Sequence, residues 1–361
     1  MKSSMMNTKP ISNFKTNELI TALRRRCTWT EFKESLKKAE LPVGLGWSEL
    51  EANATENSDL GKKMRDHIQT FYIAHLLAGE RYVQLYDISH KLGKAITAKL
   101  EHFVISPVIF SSNYPLPIDQ TKLIAAPSEP TLVAVAAISN GDKALVFCSA
   151  RNFAERNTYP FSQIAPQVAQ VYGGIDELIT IKKIYFQAFD LVIIRASLDR
   201  VEVCLDMPNL GYIDFSETAL KLLAAATTHL SDLDEVYRSQ PLNVFNTIKD
   251  IFESPKEGRV KTLSFRTLTG SRKFEKMVRA SEDLRNEKFH HAGMTAVKHE
   301  ISPYELTVDW EFSLPKGFAE IELKASIKEL SYENPILPGF YVRAIEQLSL
   351  LAAINKIVKY L

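Results

Sequence analysis

Ten basic residues fall between positions 255 and 291: Lys256, Arg259, Lys261, Arg266, Arg272, Lys273, Lys276, Arg279, Arg285 and Lys288, against five acidic ones. Cations at this density suit phosphate, because each neutralised phosphate releases counterions and makes binding salt-dependent. Arg266, Arg272, Lys273, Lys276 and Arg279 lie on or beside a segment that reads as a hairpin. Strands over 260–268 and 272–278 flank Thr269-Gly270-Ser271. Alternate side chains of a strand share a face, so Arg272 and Lys276 point the same way, with Arg266 across from them. A twisted basic ribbon fits along a nucleic-acid backbone or into a groove. Lysines also discourage edge-to-edge strand pairing, which gives a second account of the same charges.

A second constellation follows. Asp309 stands in Val308-Asp309-Trp310-Glu311-Phe312, a turn is predicted at 315–317, and the chain returns as Ala319-Glu320-Ile321-Glu322-Leu323-Lys324. Glu322 and Lys324, two residues apart, share one strand face. An Asp, a turn and a returning Glu-x-Lys resemble the core of the PD-(D/E)xK nucleases over about forty residues, with Gln347 on a following helix. The resemblance implies that Asp309 and Glu322 hold magnesium, a hard cation suited to oxygen ligands, and that Lys324 positions or activates the attacking water. No proline precedes Asp309, where the family's name would place one. The alternation over 318–328 also describes an ordinary half-exposed strand, apolar inward and charged outward.

Other chemistry is thinly represented. His290-His291 stands alone, without Cys or His at a zinc-finger spacing, and His67 and His75 lack the HExxH arrangement. Cys27, Cys148 and Cys204 are scattered and odd in number, which predicts buried thiols in a reducing compartment. There is no GxGxxG, no P-loop and no GxSxG, and Gly93-Lys94 is followed by alanine rather than a hydroxyl residue. Nucleotide-driven and serine-hydrolase chemistries are therefore disfavoured. Arg24-Arg25-Arg26 closes the first predicted helix, where cations oppose the carbonyl end of the helix dipole; phosphate contact is the other reading. The tight connection to the next helix also fits a helix-turn-helix or any small helical bundle.

The elements that must position these residues divide the chain into three. Residues 1–100 are expected to be a helical N-terminal region, with helices over 17–26, from Trp29 to before Pro42, and from Asp59 to Ala78-Gly79. Thr28-Trp29-Thr30-Glu31 fits a capping box. Residues 101–241 are expected to be a mixed α+β middle domain. It has a hairpin at Asn140-Gly141, a helix over 161–172, strands over 179–184, 189–195 and 201–205, and a helix over 216–230. Residues 242–361 are expected to be a basic α+β domain, with strands over 304–314 and 318–327 and a closing helix over 340–361. Antiparallel hairpins within two mixed regions favour α+β over a parallel, doubly wound sheet.

The 361 residues carry 44 Lys+Arg against 43 Asp+Glu, with 45% hydrophobic and 24% charged residues, which excludes wholesale disorder and a disulfide scaffold. No run of about 20 apolar residues and no signal-peptide h-region is present, so no membrane partner and a cytoplasmic location are expected. The expected function is nucleic-acid binding without intrinsic catalysis and without a cofactor, with DNA or RNA and other protein subunits as partners. The alternatives are a magnesium-dependent nuclease and an interaction subunit that docks through Trp29, Phe32 and Trp47. Those three aromatics read equally as core.

Overall fold

The strand that organises the molecule, β1 (Gly79–Asp87), lies in the region expected to be helical, just past the end of its last predicted helix. In this computed structural model, residues 14–56, 58–171, 176–207, 214–279, 281–298, 300–313 and 316–361 are described. β1 is buried from Arg81 to Tyr86 on both of its faces. A strand covered on both sides lacks the polar–apolar alternation that reveals strands in a sequence. Gly79, at φ +57°, turns the chain from helix into β1, and a Cβ there would lie 3.1 Å from the His75 carbonyl oxygen.

Among the described residues, nine more strands complete one antiparallel sheet. They are β2 (Thr131–Ala137), β3 (Lys143–Pro160), β4 (Glu177–Arg195), β5 (Arg200–Asp206), β6 (Arg259–Thr267), β7 (Arg272–Lys276), β8 (Ile301–Ser313), β9 (Lys316–Lys324) and β10 (Phe340–Ala344). Their order is β2-β3-β4-β5-β1-β10-β9-β8-β6-β7. β1 pairs β5 on one side and β10 on the other, so one sheet runs through strands from all three sequence regions. The mixed α+β class, the helical N-terminal region and the antiparallel hairpins are all present. At the first hairpin Ala137 pairs Lys143, and Asn140 and Gly141 adopt φ +63° and +79°.

Four helices, α1 (Thr16–Arg24), α2 (Trp29–Lys38), α3 (Trp47–Thr55) and α4 (Asp59–Leu76), pack Leu23, Phe32, Leu50 and Ile68 into the larger core. That core continues along the same sheet face to Val308 and Ile321, under the helices Thr247–Glu253 and Gln347–Val358. On the opposite face the second buried apolar cluster centres on Tyr86, Val192 and Val203, where α5 (His90–Glu101) and the helix Phe215–His229 cover it. Trp29, Phe32 and Trp47 pack on one another; the Phe32 and Trp47 rings stack at 5.4 Å.

The α2 start has both halves of the capping box. Thr28 Oγ1 accepts from the Glu31 amide at 3.3 Å, and Glu31 Oε2 accepts from the Thr28 amide at 2.7 Å. Thr28→Ala is expected to cost about 1 kcal/mol in denaturant unfolding. A change below about 0.5 kcal/mol, the low end of capping effects, would show that the cap is not stabilising.

Several local expectations are corrected. The strands expected over 179–184 and 189–195 are one strand, β4, because β3 accompanies it from Glu177 to Ile194. The helix expected over 161–172 is a single 3-10 turn and the short helix Pro166–Val171; its last residue lies outside the described residues. The closing helix starts at Gln347, since Phe340–Ala344 is strand β10, and the β-favouring Phe340, Tyr341 and Val342 account for this. His290 and His291 are on a helix, Lys288–Ala296, which the Glu287 side chain caps by accepting from the His290 amide. The turn expected at 315–317 lies partly outside the described residues.

Candidate nucleic-acid interface

β7 is the last strand of the sheet, so one of its edges has no strand beside it among the described residues. The turn between β6 and β7 is built on Thr267. Its amide donates to the Ser271 carbonyl at 2.9 Å, its hydroxyl accepts from the Ser271 amide at 3.1 Å, and Gly270 supplies φ +88°. Register pairs Arg266 with Arg272, Ser264 with Phe274, and Thr262 with Lys276. Period-two alternation then sets Arg266, Arg272, Phe274 and Lys276 on one face and Lys273 and Glu275 on the other. Arg272, Lys273 and Lys276 are exposed, and Phe274 is 65% exposed.

The base of the hairpin is charge-compensated and its outer part is not. Arg285 bonds Asp283 at 2.6 Å and the Gly258 carbonyl at 2.6 Å, tying the start of β6 to the following loop. Arg259 pairs Asp309 and Glu311, Lys261 pairs Asp309, and Arg279 pairs Glu282 at 3.0 Å. Glu275 pairs with His290 on the inner face. Among the described residues, Arg266, Arg272, Lys273 and Lys276 have no carboxylate within ion-pair distance. Like charges directly across a strand pair repel, so Arg266 opposite Arg272 is tolerated only where solvent or an anion screens it.

The nuclease-like residues lie on the same sheet face as Lys276. One cross-strand row reads Tyr82, Tyr341, Glu322, Thr307, Thr262, Lys276. The neighbouring row reads Glu80, Arg343, Glu320, Asp309, Arg259. Asp309 is thus opposite Glu320, and Glu322 is its diagonal neighbour, a spacing of about 7–8 Å in antiparallel pairs. Buried Asp309 has Oδ1 2.8 Å from Arg259 Nε and Oδ2 3.3 Å from Lys261 Nζ. Lys324 lies opposite Glu305 and 3.6 Å from Glu322, with both side chains about half exposed. Burial raises the Glu320 carboxyl pKa, which Asp309 and Glu322 reinforce and Arg343 opposes. Among the described residues no group of three or more His, Cys, Asp or Glu is placed to hold a metal ion. Asp309, with both oxygens held by cations, and Glu322, paired to Lys324, do not fit a magnesium site, and no cleavage step is derived through one.

The three cysteines are buried and free, and burial pushes the Cys204 thiol up to about 12, far from nucleophilic range. Sequence reasoning missed Phe274 as a member of the basic face; its position between Arg272 and Lys276 in the alternation was the available signal. It also missed the cavity beside Arg26, whose walls come from five segments distant in sequence. Comparison with protein-family models, with curated proteins and with solved structures gave no match.

Proposed function

We propose that this chain is a nucleic-acid-binding protein without intrinsic catalysis, acting in the cytoplasm with DNA or RNA and with other protein subunits. The observation that carries this reading is the outer face of the β6–β7 hairpin. Arg266, Arg272 and Lys276 lack carboxylate partners among the described residues and flank an exposed aromatic ring, Phe274. Cations that track a backbone, interleaved with a ring on which a base can stack, are the physical requirements of sequence-tolerant binding to single strands. No described helix is long and apolar enough to cross a membrane.

The test is charge reversal at residues that contribute nothing to the core. Arg272→Glu with Lys276→Glu is expected to weaken binding of an unstructured oligonucleotide roughly tenfold or more at low salt. The loss should be similar across sequences, because backbone contacts carry no code. The slope of log affinity against log salt should fall by about one unit per lost phosphate contact. Fluorescence anisotropy at several salt concentrations reads both quantities. Wild-type protein that retains neither DNA nor RNA at low salt ends the proposal. Equal binding by the double variant moves the interface elsewhere.

A further inference from the structure

At the other end of the sheet, β4 pairs β5 only over Leu191–Arg195, so its margin over 177–190 has no strand beside it among the described residues. A cavity of about 510 Å³ lies along that margin, between β4, the C-terminal end of α1, Tyr72 of α4 and residues 117–123. Its wall is fixed by hydrogen bonds. The Ile118 amide donates to Gln187 Oε1 at 2.9 Å, Gln120 Nε2 donates to the Tyr185 carbonyl at 3.3 Å, and the Tyr72 hydroxyl donates to the Pro115 carbonyl at 2.9 Å. The volume is that of a site for a small organic ligand.

The lining has two chemistries. Arg25, Arg26, Lys182 and Lys183 are cationic, and among the described lining residues there is no carboxylate. Phe153, Tyr185 and Phe186 bring half-buried rings to the same space. Behind the wall, Arg26 forms a bidentate pair with Asp206 at 2.9 and 2.6 Å, and its guanidinium lies 5.4 Å from the Phe189 ring centroid. The Arg26 side chain is only 7% exposed, yet its Nε is buried without a hydrogen-bond partner among the described residues. A buried donor left unpaired is costly, and it points to an acceptor that completes the site. The surrounding charges agree: among the described residues, the carboxylates paired with Arg26, Arg81 and Arg151, three buried or nearly buried guanidiniums, are Asp190 and Asp206.

We propose that this cavity binds a nucleoside phosphate, with the phosphate among Lys182, Lys183 and the Arg26 edge and the base against Phe153 and the neighbouring rings. The site is separate from the basic hairpin, which belongs to the opposite end of the sheet. The same chemistry is offered by a free nucleotide or by the 5′-phosphorylated end of a strand, and the experiment distinguishes them.

The probes are the four nucleoside 5′-monophosphates, the corresponding nucleosides, and an oligonucleotide with either a 5′-phosphate or a 5′-hydroxyl, measured by titration calorimetry. The oligonucleotide arm uses the Arg272→Glu/Lys276→Glu background, so that binding at the hairpin does not mask this site. At least one monophosphate is expected to bind roughly tenfold or more tighter than its nucleoside, the size of effect a charge-assisted phosphate contact gives. Lys182→Glu with Lys183→Glu should remove that advantage, and separately Phe153→Ala should weaken the monophosphate and its nucleoside alike, neither change lowering the melting temperature. Should the double reversal unfold the chain, Lys182→Gln with Lys183→Gln replaces it. Binding of monophosphates identifies a free nucleotide; binding of only the 5′-phosphorylated strand, lost in the lysine variant, identifies a strand end. Affinities that the lysine and Phe153 variants leave unchanged overturn the proposal, as does failure of every phosphorylated probe to bind.

Discussion

Asp206→Ala is expected to lower the unfolding free energy by about 3–5 kcal/mol, the range found when one partner of a buried ion pair is removed. Asp206 sits at the end of β5 with its side chain 1% exposed. It accepts two bonds from Arg26 and one from the Phe189 amide at 2.8 Å, and Arg81 Nη1 lies 3.5 Å away. Burial alone would raise its pKa; Arg26 and Arg81 more than offset that, and the carboxyl is held below its usual range. Alanine would leave two guanidiniums buried against a single remaining carboxylate, Asp190, which is itself engaged by Arg151. The Phe189 amide would also lose its acceptor. Asp206→Asn separates the two effects, since it keeps the shape and removes the charge. Equilibrium urea unfolding reads the difference. A loss under about 1 kcal/mol, the scale of an exposed pair, would mean that Arg26 and Arg81 are held by something else.

The second large effect is on acid stability. His75 of α4 is 3% exposed, its ring stacks on Phe71 at 5.7 Å, and its Nε2 lies 3.1 Å from the Arg26 carbonyl oxygen. That geometry makes Nε2–H the donor. Burial, reinforced by the Arg26 guanidinium, pushes the His75 pKa down to about 4. In the unfolded chain it titrates near 6.5, so between those values the unfolded state takes up a proton that the folded state refuses. Stability is therefore full above about pH 6.5 and falls as the pH drops towards 4, by about 3 kcal/mol in total. His75→Phe keeps the ring on Phe71 and removes the titration. It should be less stable at neutral pH, having lost the bond to the Arg26 carbonyl, and flatter in its stability profile between pH 6.5 and 4. Asp206 does not confuse the reading, because a depressed carboxylate loses its contribution only as the pH falls below about 3.9 and through its folded value. An equally steep acid limb in His75→Phe would assign the pH dependence to other groups.

Much of this protein was legible residue by residue. The capping box at Thr28, the glycine turns at 140–141 and 270, the alternation of β9 and the charge excess over 255–291 are local patterns, and local patterns survive in sequence because neighbours along the chain cause them. β1 and β10 were not legible, although they join the two halves of the sheet. β1 is covered on both faces and so has no alternation, and β10 is five residues long and runs into a helical segment. The buried charges were opaque for a different reason. Arg26 and Asp206 are 180 residues apart in sequence, and nothing local marks Asp206 as the residue that neutralises Arg26.

The sequence by itself therefore determined the class of fold, the hairpins and which face of the basic ribbon carries Arg266, Arg272 and Lys276, since period-two alternation needs only the strand. Tertiary structure alone decided which charges remain available. Asp309 and Arg259 cancel because β6 and β8 are neighbours, and Arg285 is spent on backbone carbonyls at the base of the hairpin. The outer ribbon stays positive because β7 is the edge and no acidic strand lies beyond it among the described residues. Coulomb energy depends on distance in space, and in an antiparallel sheet that distance is set by strand order, which no window of sequence contains.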